Sequence, residues 1–171
     1  MASVAKSRGE QSYWDQRYKD AWDKPYHGVM AQWTPEMVAA EEHGIETHLD
    51  KLLRAHHRVL DAACGYGRLA PMICERVKEY VGVDWSQQAI DEAARNAPAN
   101  ARFYAADLVD VTDDKDFDVI VMSGVMSSLA YRSHEVIGHL RSLLTQSGVI
   151  GVFEYGSDRL VHKNGDVEWL T

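Results

Sequence analysis

The stretch Val59-Leu-Asp-Ala-Ala-Cys-Gly-Tyr-Gly-Arg68 decides how this chain folds. Its first half, introduced by Arg58, is a short apolar strand that runs into Asp61. Its second half places Gly65 and Gly67 where a strand must turn sharply into a helix. Glycine tolerates a positive φ and lets backbone come close to a ligand. Downstream the pattern repeats. Arg68 to Val77 is expected to be helix, with Leu69, Met72 and Ile73 on one side, and Tyr80-Val-Gly-Val83 is a second strand. Ser86 is expected to cap a helix through Asn96, with Ile90 and Ala94 facing inward. Ala101 to Ala105 is a third strand, Phe117 to Met122 a fourth and Gly148 to Phe153 a fifth. Ser133 is expected to cap the helix before the fifth strand, which carries Val136, Leu140, Leu143 and Leu144. Strands alternating with helices imply βαβ units and a parallel sheet, and runs such as VIVM suit a sheet covered on both faces.

Upstream, Thr34-Pro35-Glu36 predicts a helix start, with Thr34 as N-cap and Pro35 in the first turn. Met37, Val38, Ile45, Leu49, Leu52 and Leu53 follow at helical spacing, which predicts amphipathic helix over roughly 35–54. Before it lies an aromatic lead-in of Tyr13, Trp14, Tyr18, Trp22, Tyr26 and Trp33. Downstream of the fifth strand, Arg159 to Leu170 predicts a hairpin about an Asn-Gly turn. The expected architecture is α/β: a Rossmann-like, mostly parallel sheet with helices on both faces and a shortened C-terminal end. Residues 1–33 are expected to form a lid segment on a single core domain, 34–171.

The acidic residues at the strand ends carry the chemistry. Asp61 ends the first strand and Asp84 the second; in a βαβ nucleotide site a carboxylate at the latter place accepts hydrogen bonds from ribose hydroxyls. The third strand ends in Ala106-Asp107-Leu108, an acceptor for an adenine amino group followed by an apolar cover. Gly65-Tyr-Gly67-Arg-Leu-Ala70 also fits the dinucleotide fingerprint G-x-G-x-x-A. Pyrophosphate seeks helix N-terminal N–H groups, and Asp61 would repel it. A nucleoside bearing a sulfonium and an ammonium would be drawn to the same carboxylate. Both readings stand on the residues alone.

Taken together, VLDAACGYG, GVDWS, AADL and FDVIVMSGVMSSL resemble, in order and spacing, the motifs of the class I S-adenosylmethionine-dependent methyltransferases over roughly residues 11–155. Ala63 departs from the family pattern, which usually has glycine there. The resemblance implies S-adenosylmethionine as cofactor and S-adenosylhomocysteine as product. It implies that Asp61, Ala63, Gly65 and Gly67 form the cofactor turn and that Asp84 takes the ribose. Trp85 would lie against the adenine, with Asp107 and Leu108 at its edge and face. Ser123, in the fourth-strand motif, would border the methionine part and the substrate. The opening SYWDQRY resembles an N-terminal helix that lids the cofactor, which makes Tyr13 and Tyr18 candidate contacts.

Methyl transfer from an activated donor depends chiefly on alignment, which can supply roughly 7–11 kcal/mol. A general base typically adds a factor of about 10²–10⁴. Tyr13, His134 and Glu154 are the candidates for one. No His/Cys/Asp spacing matches a zinc motif, so no metal is expected. Amino-methylating enzymes of nucleobases often carry [D/N]-P-P-[Y/F] on the fourth strand, where this chain has Met122-Ser-Gly-Val125. The net charge of -8 also argues against a nucleic-acid substrate. A small-molecule acceptor is expected, with protein side chains left open; the alternative is a protein that binds the cofactor without transfer or uses it otherwise, and a nicotinamide-dependent dehydrogenase stands behind it.

Cys64 and Cys74 read as reduced, partly buried thiols. Met1 to Glu10 is polar with no apolar h-region, so a cytoplasmic protein off the membrane is expected. The acidic run Asp110 to Asp116 reads as solvated loop. A short sheet leaves an exposed edge, through which a homodimer could form.

Overall fold

The structure, a computed structural model, describes residues 11–20, 34–112, 114–154 and 159–169. Trp22, Tyr26 and Trp33 of the aromatic lead-in, and Leu170 of the hairpin, lie outside the described residues.

The element order is α1 (Gln11–Asp20), α2 (Pro35–Leu52), β1 (Arg58–Ala62), α3 (Ala70–Cys74), β2 (Glu79–Asp84), α4 (Gln87–Arg95), β3 (Ala101–Ala105), β4 (Phe117–Ser123), α5 (Met126–Leu129), α6 (Ser133–Ser142), β5 (Leu144–Phe153), β6 (Arg159–His162) and β7 (Val167–Trp169). Single 3-10 turns cover Leu108–Asp110 and Ala130–Arg132. The strands form one seven-stranded sheet in the order β3-β2-β1-β4-β5-β6-β7. β1 to β5 are parallel; β6 and β7 are antiparallel additions. The expected Rossmann-like α/β sheet is present.

Alternation along the strands splits the core in two. Leu60, Ala62, Ile120 and Met122 face one cluster, which α6 completes with Val136 and Leu140. Val59, Val119 and Val121 face the other, where Ile45 and Leu49 of α2 and Ile73 of α3 cover them. A period of two puts successive side chains on opposite faces, so strands apolar at every position need helices on both. Thr34 caps α2 through its hydroxyl, which accepts from Met37 N at 3.3 Å. Ser86 does the same for α4, accepting from Ala89 N at 3.4 Å.

Several expected boundaries shift. α3 begins only at Ala70, because Pro71 fits no later than the first turn of a helix. In α4 the inward residues are Ala89, Ile90 and Ala93; Ala94 is exposed, one position round the helix. Ser133 is the first residue of α6 and caps nothing, since the chain enters that helix already wound from the preceding 3-10 turn. β5 starts at Leu144, four residues early, across a register irregularity between Phe117 and Val119. Gly148 permits it: a Cβ there would lie 2.8 Å from the Phe117 carbonyl oxygen. The acidic run is only partly solvated. Asp114 takes hydrogen bonds from Arg102 and from the Tyr104 hydroxyl (3.2 Å) and pairs with Arg58 at 3.6 Å, which ties β3 to the loop before β4.

The hairpin turns at Lys163-Asn-Gly-Asp166, where Gly165 has φ 97°. Cys64 and Cys74 are free and buried. Among the described residues, no helix is long and apolar enough to cross a membrane.

Candidate cofactor site at the strand ends

The chain runs outward from β1 through β2 to β3, then returns to the other side of β1 for β4. This reversal opens a crevice beyond the C-terminal ends of β1 and β4, where open α/β sheets bind ligands. The register aligns those ends: Ala62 pairs with Val83, Asp84 with Ala105 and Ser123 with Phe153.

Between β1 and α3 the backbone enters the left-handed region three times, at Ala63 (φ 68°), Gly65 (φ 55°) and Gly67 (φ 77°). Ala63 takes the unusual conformation without the freedom of glycine, at a cost of roughly 1–2 kcal/mol. The turn is pinned to β2 where Ala63 N and Cys64 N donate to the Val83 carbonyl at 2.8 and 3.0 Å. Asp84 pins it again. One carboxylate oxygen accepts from Gly65 N and the other from Ser86 N, each at 2.9 Å. Burial raises the Asp84 carboxyl above its usual range, against the pull of these N–H donors. Tyr18 of α1 sits on the turn, so that a Cβ on Gly65 would meet its hydroxyl at 2.5 Å. Burial, with Asp84 near, holds the Tyr18 phenol well above its ordinary value. Gln11 fastens the same helix by donating to the Trp85 carbonyl at 2.8 Å.

A cavity of about 110 Å³ fills the crevice. Seven of the expected site residues line it: Tyr18, Ala63, Asp84, Trp85, Asp107, Leu108 and Ser123. Trp14 of α1, Gly124 and Val125 after β4, Ser128 and Leu129 of α5, and Arg132 complete much of the wall. Trp14 lies within the quoted SYWDQRY. Arg132, far along the chain from Asp107, gave no signal in the sequence.

The remaining candidates sit elsewhere. Gly65 and Gly67 shape the turn behind the wall. Asp61 lies beneath the turn, buried, and accepts from the Tyr80 hydroxyl at 2.6 Å. Burial raises its carboxyl to about 6, partly offset by Tyr80 and Arg68. Tyr13 is half-buried, edge-on to Trp14 at 5.1 Å. His134 is exposed on α6. Glu154 accepts from Met126 N at 2.7 Å, at the start of α5.

Such a fold and crevice define a nucleoside-binding α/β domain of the methyltransferase kind. Residues 60–150 match the family described as "Methyltransferase domain". The chain belongs to this family, the class I S-adenosylmethionine-dependent methyltransferases. This assignment selects against the dinucleotide reading of Gly65-Tyr-Gly67-Arg-Leu-Ala70. The ribosomal protein L11 methyltransferase of Thermotoga neapolitana is 30% identical over 137 residues, 72% of this chain and 52% of that protein. The 23S rRNA (uracil(1939)-C(5))-methyltransferase RlmD of Psychromonas ingrahamii is 42% identical over 60 residues, 33% of this chain and 14% of that one. The chain thus spans 52% and 14% of the lengths of these curated relatives. A DhpI–SAH complex superposes with a TM-score of 0.67 at 22% identity, covering 95% of this chain and 78% of the other, a likeness of fold. A TehB-like SAM-dependent methyltransferase from Corynebacterium glutamicum gives 0.56 at 27% identity, covering 68% and 70%.

Proposed function

We propose that the chain transfers a methyl group from S-adenosylmethionine to a small-molecule nucleophile. One observation carries this reading: Asp84 and Asp107 line a single cavity at the switch point, between the apolar walls of Trp85 and Leu108. The residues suit the cofactor. The glycine turn leaves room for close approach, and the carboxylates at hand suit hydroxyl, amino and cationic groups but not phosphates. Asp84 would hold the ribose, Asp107 the adenine amino group, and Trp85 and Leu108 the ring. Ala63 and Ser123 would border the methionine part, with Asp61 placing negative charge beneath the turn. When bound, S-adenosylmethionine supplies a methyl group on a positively charged sulfur. The protein's task is then to orient the acceptor and keep water out, and α1 serves the second purpose through Trp14 and Tyr18.

The acceptor class follows from charge. Arg58, Arg68, Arg76, Arg95, Arg102 and Arg132 are all ion-paired with carboxylates of the same chain. The net charge of -8 adds to this, so a small acceptor fits this surface better than the phosphate backbone of RNA. A second reading, cofactor binding without transfer, draws on the position of the base candidates: Tyr13, His134 and Glu154 are all absent from the cavity wall. The same proposal includes residues 1–33 as a lid on a core of 34–171, a cytoplasmic location, and self-pairing along the outer edge of β7. The test is a turnover assay with methyl-labelled S-adenosylmethionine against a metabolite panel, ribosomal RNA and ribosomal protein L11. Label in a metabolite is the expected result. Label in RNA or protein would overturn the acceptor class, and no label anywhere, with cofactor bound, would favour the second reading.

A further inference from the structure

The adenine end of the cavity holds a residue that the proposed cofactor contacts do not use. Arg132 donates to both oxygens of Asp107, from Nη1 to Oδ2 at 2.8 Å and from Nη2 to Oδ1 at 3.2 Å. Its guanidinium carbon lies 5.8 Å from the centre of the Trp85 ring, within reach of a cation–π contact. Its Nε donates outward to Glu135 at 3.2 Å. Asp107 Oδ1 also accepts from Val109 N at 3.2 Å. A carboxylate offers about four lone pairs. Three are therefore engaged, two of them by Arg132. A planar cation thus lies between the two groups that a planar adenine would use, one by stacking and one by accepting its amino hydrogens.

The rest of the wall agrees. The cavity, about 110 Å³, is below the roughly 300–1,000 Å³ usual for small-molecule and cofactor sites. Arg132 is placed to enlarge it. It is the last residue of the 3-10 turn that leads into α6, with about a third of its side chain exposed. Glu135 gives it a partner on the solvent side that it need not leave.

We propose that Arg132 is a specificity latch on the adenine subsite, exchanged for adenine when the cofactor enters and held on Glu135 meanwhile. This rests on the cofactor reading above. A ligand displaces the latch at no net loss only if it brings both a flat ring for Trp85 and an N–H donor for Asp107. The latch thereby rewards an aminopurine over a ligand that supplies one of the two. The exchange forfeits an exposed ion pair and a part-exposed cation–π contact, each worth a few-fold in affinity.

Calorimetry with S-adenosylhomocysteine on the full chain tests this, with stopped-flow tryptophan fluorescence for the association rate. Arg132→Ala should bind about tenfold more tightly and associate faster, while its ligand-free melting temperature falls by a few degrees, because the contacts that oppose the ligand also hold the empty fold. Arg132→Lys should fall between it and the parent, because an ammonium cannot bridge both oxygens in one plane. Added salt should bring the parent's affinity toward that of the alanine variant, since salt screens exposed pairs. Equal or weaker binding by Arg132→Ala would overturn the latch and make Arg132 a fixed part of the wall. No binding by the parent or either variant would withdraw the cofactor reading, and the latch with it.

Discussion

Asp61 carries its charge where burial opposes it. In the folded chain its carboxyl is raised from 3.8 to about 6, chiefly by desolvation. Between those values the folded state binds more protons than the unfolded one. Asp61's contribution to stability is therefore full below about pH 4 and is lost as pH rises through 6, leaving a cost of about 3 kcal/mol at pH 8. Asp61→Asn removes the charge and keeps an oxygen for the Tyr80 hydroxyl. Urea unfolding should show the variant more stable than the parent at pH 8, by about 1–3 kcal/mol, with little difference at pH 4. Its affinity for S-adenosylhomocysteine should fall. A parent-like pH dependence in the variant would contradict this account of Asp61. The sequence shows why a carboxylate belongs at a strand end beside glycines, but not what shares its burial. Tyr80 reaches it from the neighbouring strand, and Arg132 reaches Asp107 from beyond β4. Such pairings depend on register and crossover, which no local pattern encodes. Ala63 is the reverse case: its departure from the family's glycine is plain in the sequence, and the backbone keeps its left-handed turn regardless.

Elements were legible where a local rule governs them. The apolar runs marked β1 to β4 to within a residue or so, and Thr34 and Ser86 marked helix starts because an N-cap acts within its own turn. Starts set by other means were misplaced: α3 waits for Pro71, and α6 continues a 3-10 turn. The junction of β5 and α5 bears on catalysis. Glu154 was expected as a base candidate, and its Oε1 is bound to Met126 N at the start of α5. Glu154→Gln retains an acceptor there, so turnover should stay within about threefold of the parent. Glu154→Ala leaves the N–H bare and should cost about 1 kcal/mol of stability by thermal unfolding. A loss of about 10² or more in the glutamine variant, at unchanged cofactor affinity, would restore Glu154 as a base.

At the scale of the molecule, the parallel sheet and its switch point follow from strand order, and strand order follows from alternation of strand and helix. Two apolar clusters on opposite faces hold β1 and β4 at the centre, so the crevice above them is built on the best-buried strands. The hairpin expected from the Asn-Gly turn is present as β6 and β7, and β6 pairs with β5 to extend the sheet. What the alternation could not show is where α1 packs. α1 reaches the glycine turn from the far end of the chain, through Tyr18 and Gln11. The central claim is that this crevice takes a positively charged nucleoside and not a dinucleotide. Isothermal titration of the full chain with S-adenosylhomocysteine, S-adenosylmethionine and NAD measures it directly. One site per chain for each of the first two, with no heat from NAD, is the predicted result; saturable binding of NAD with none of the other two would contradict it.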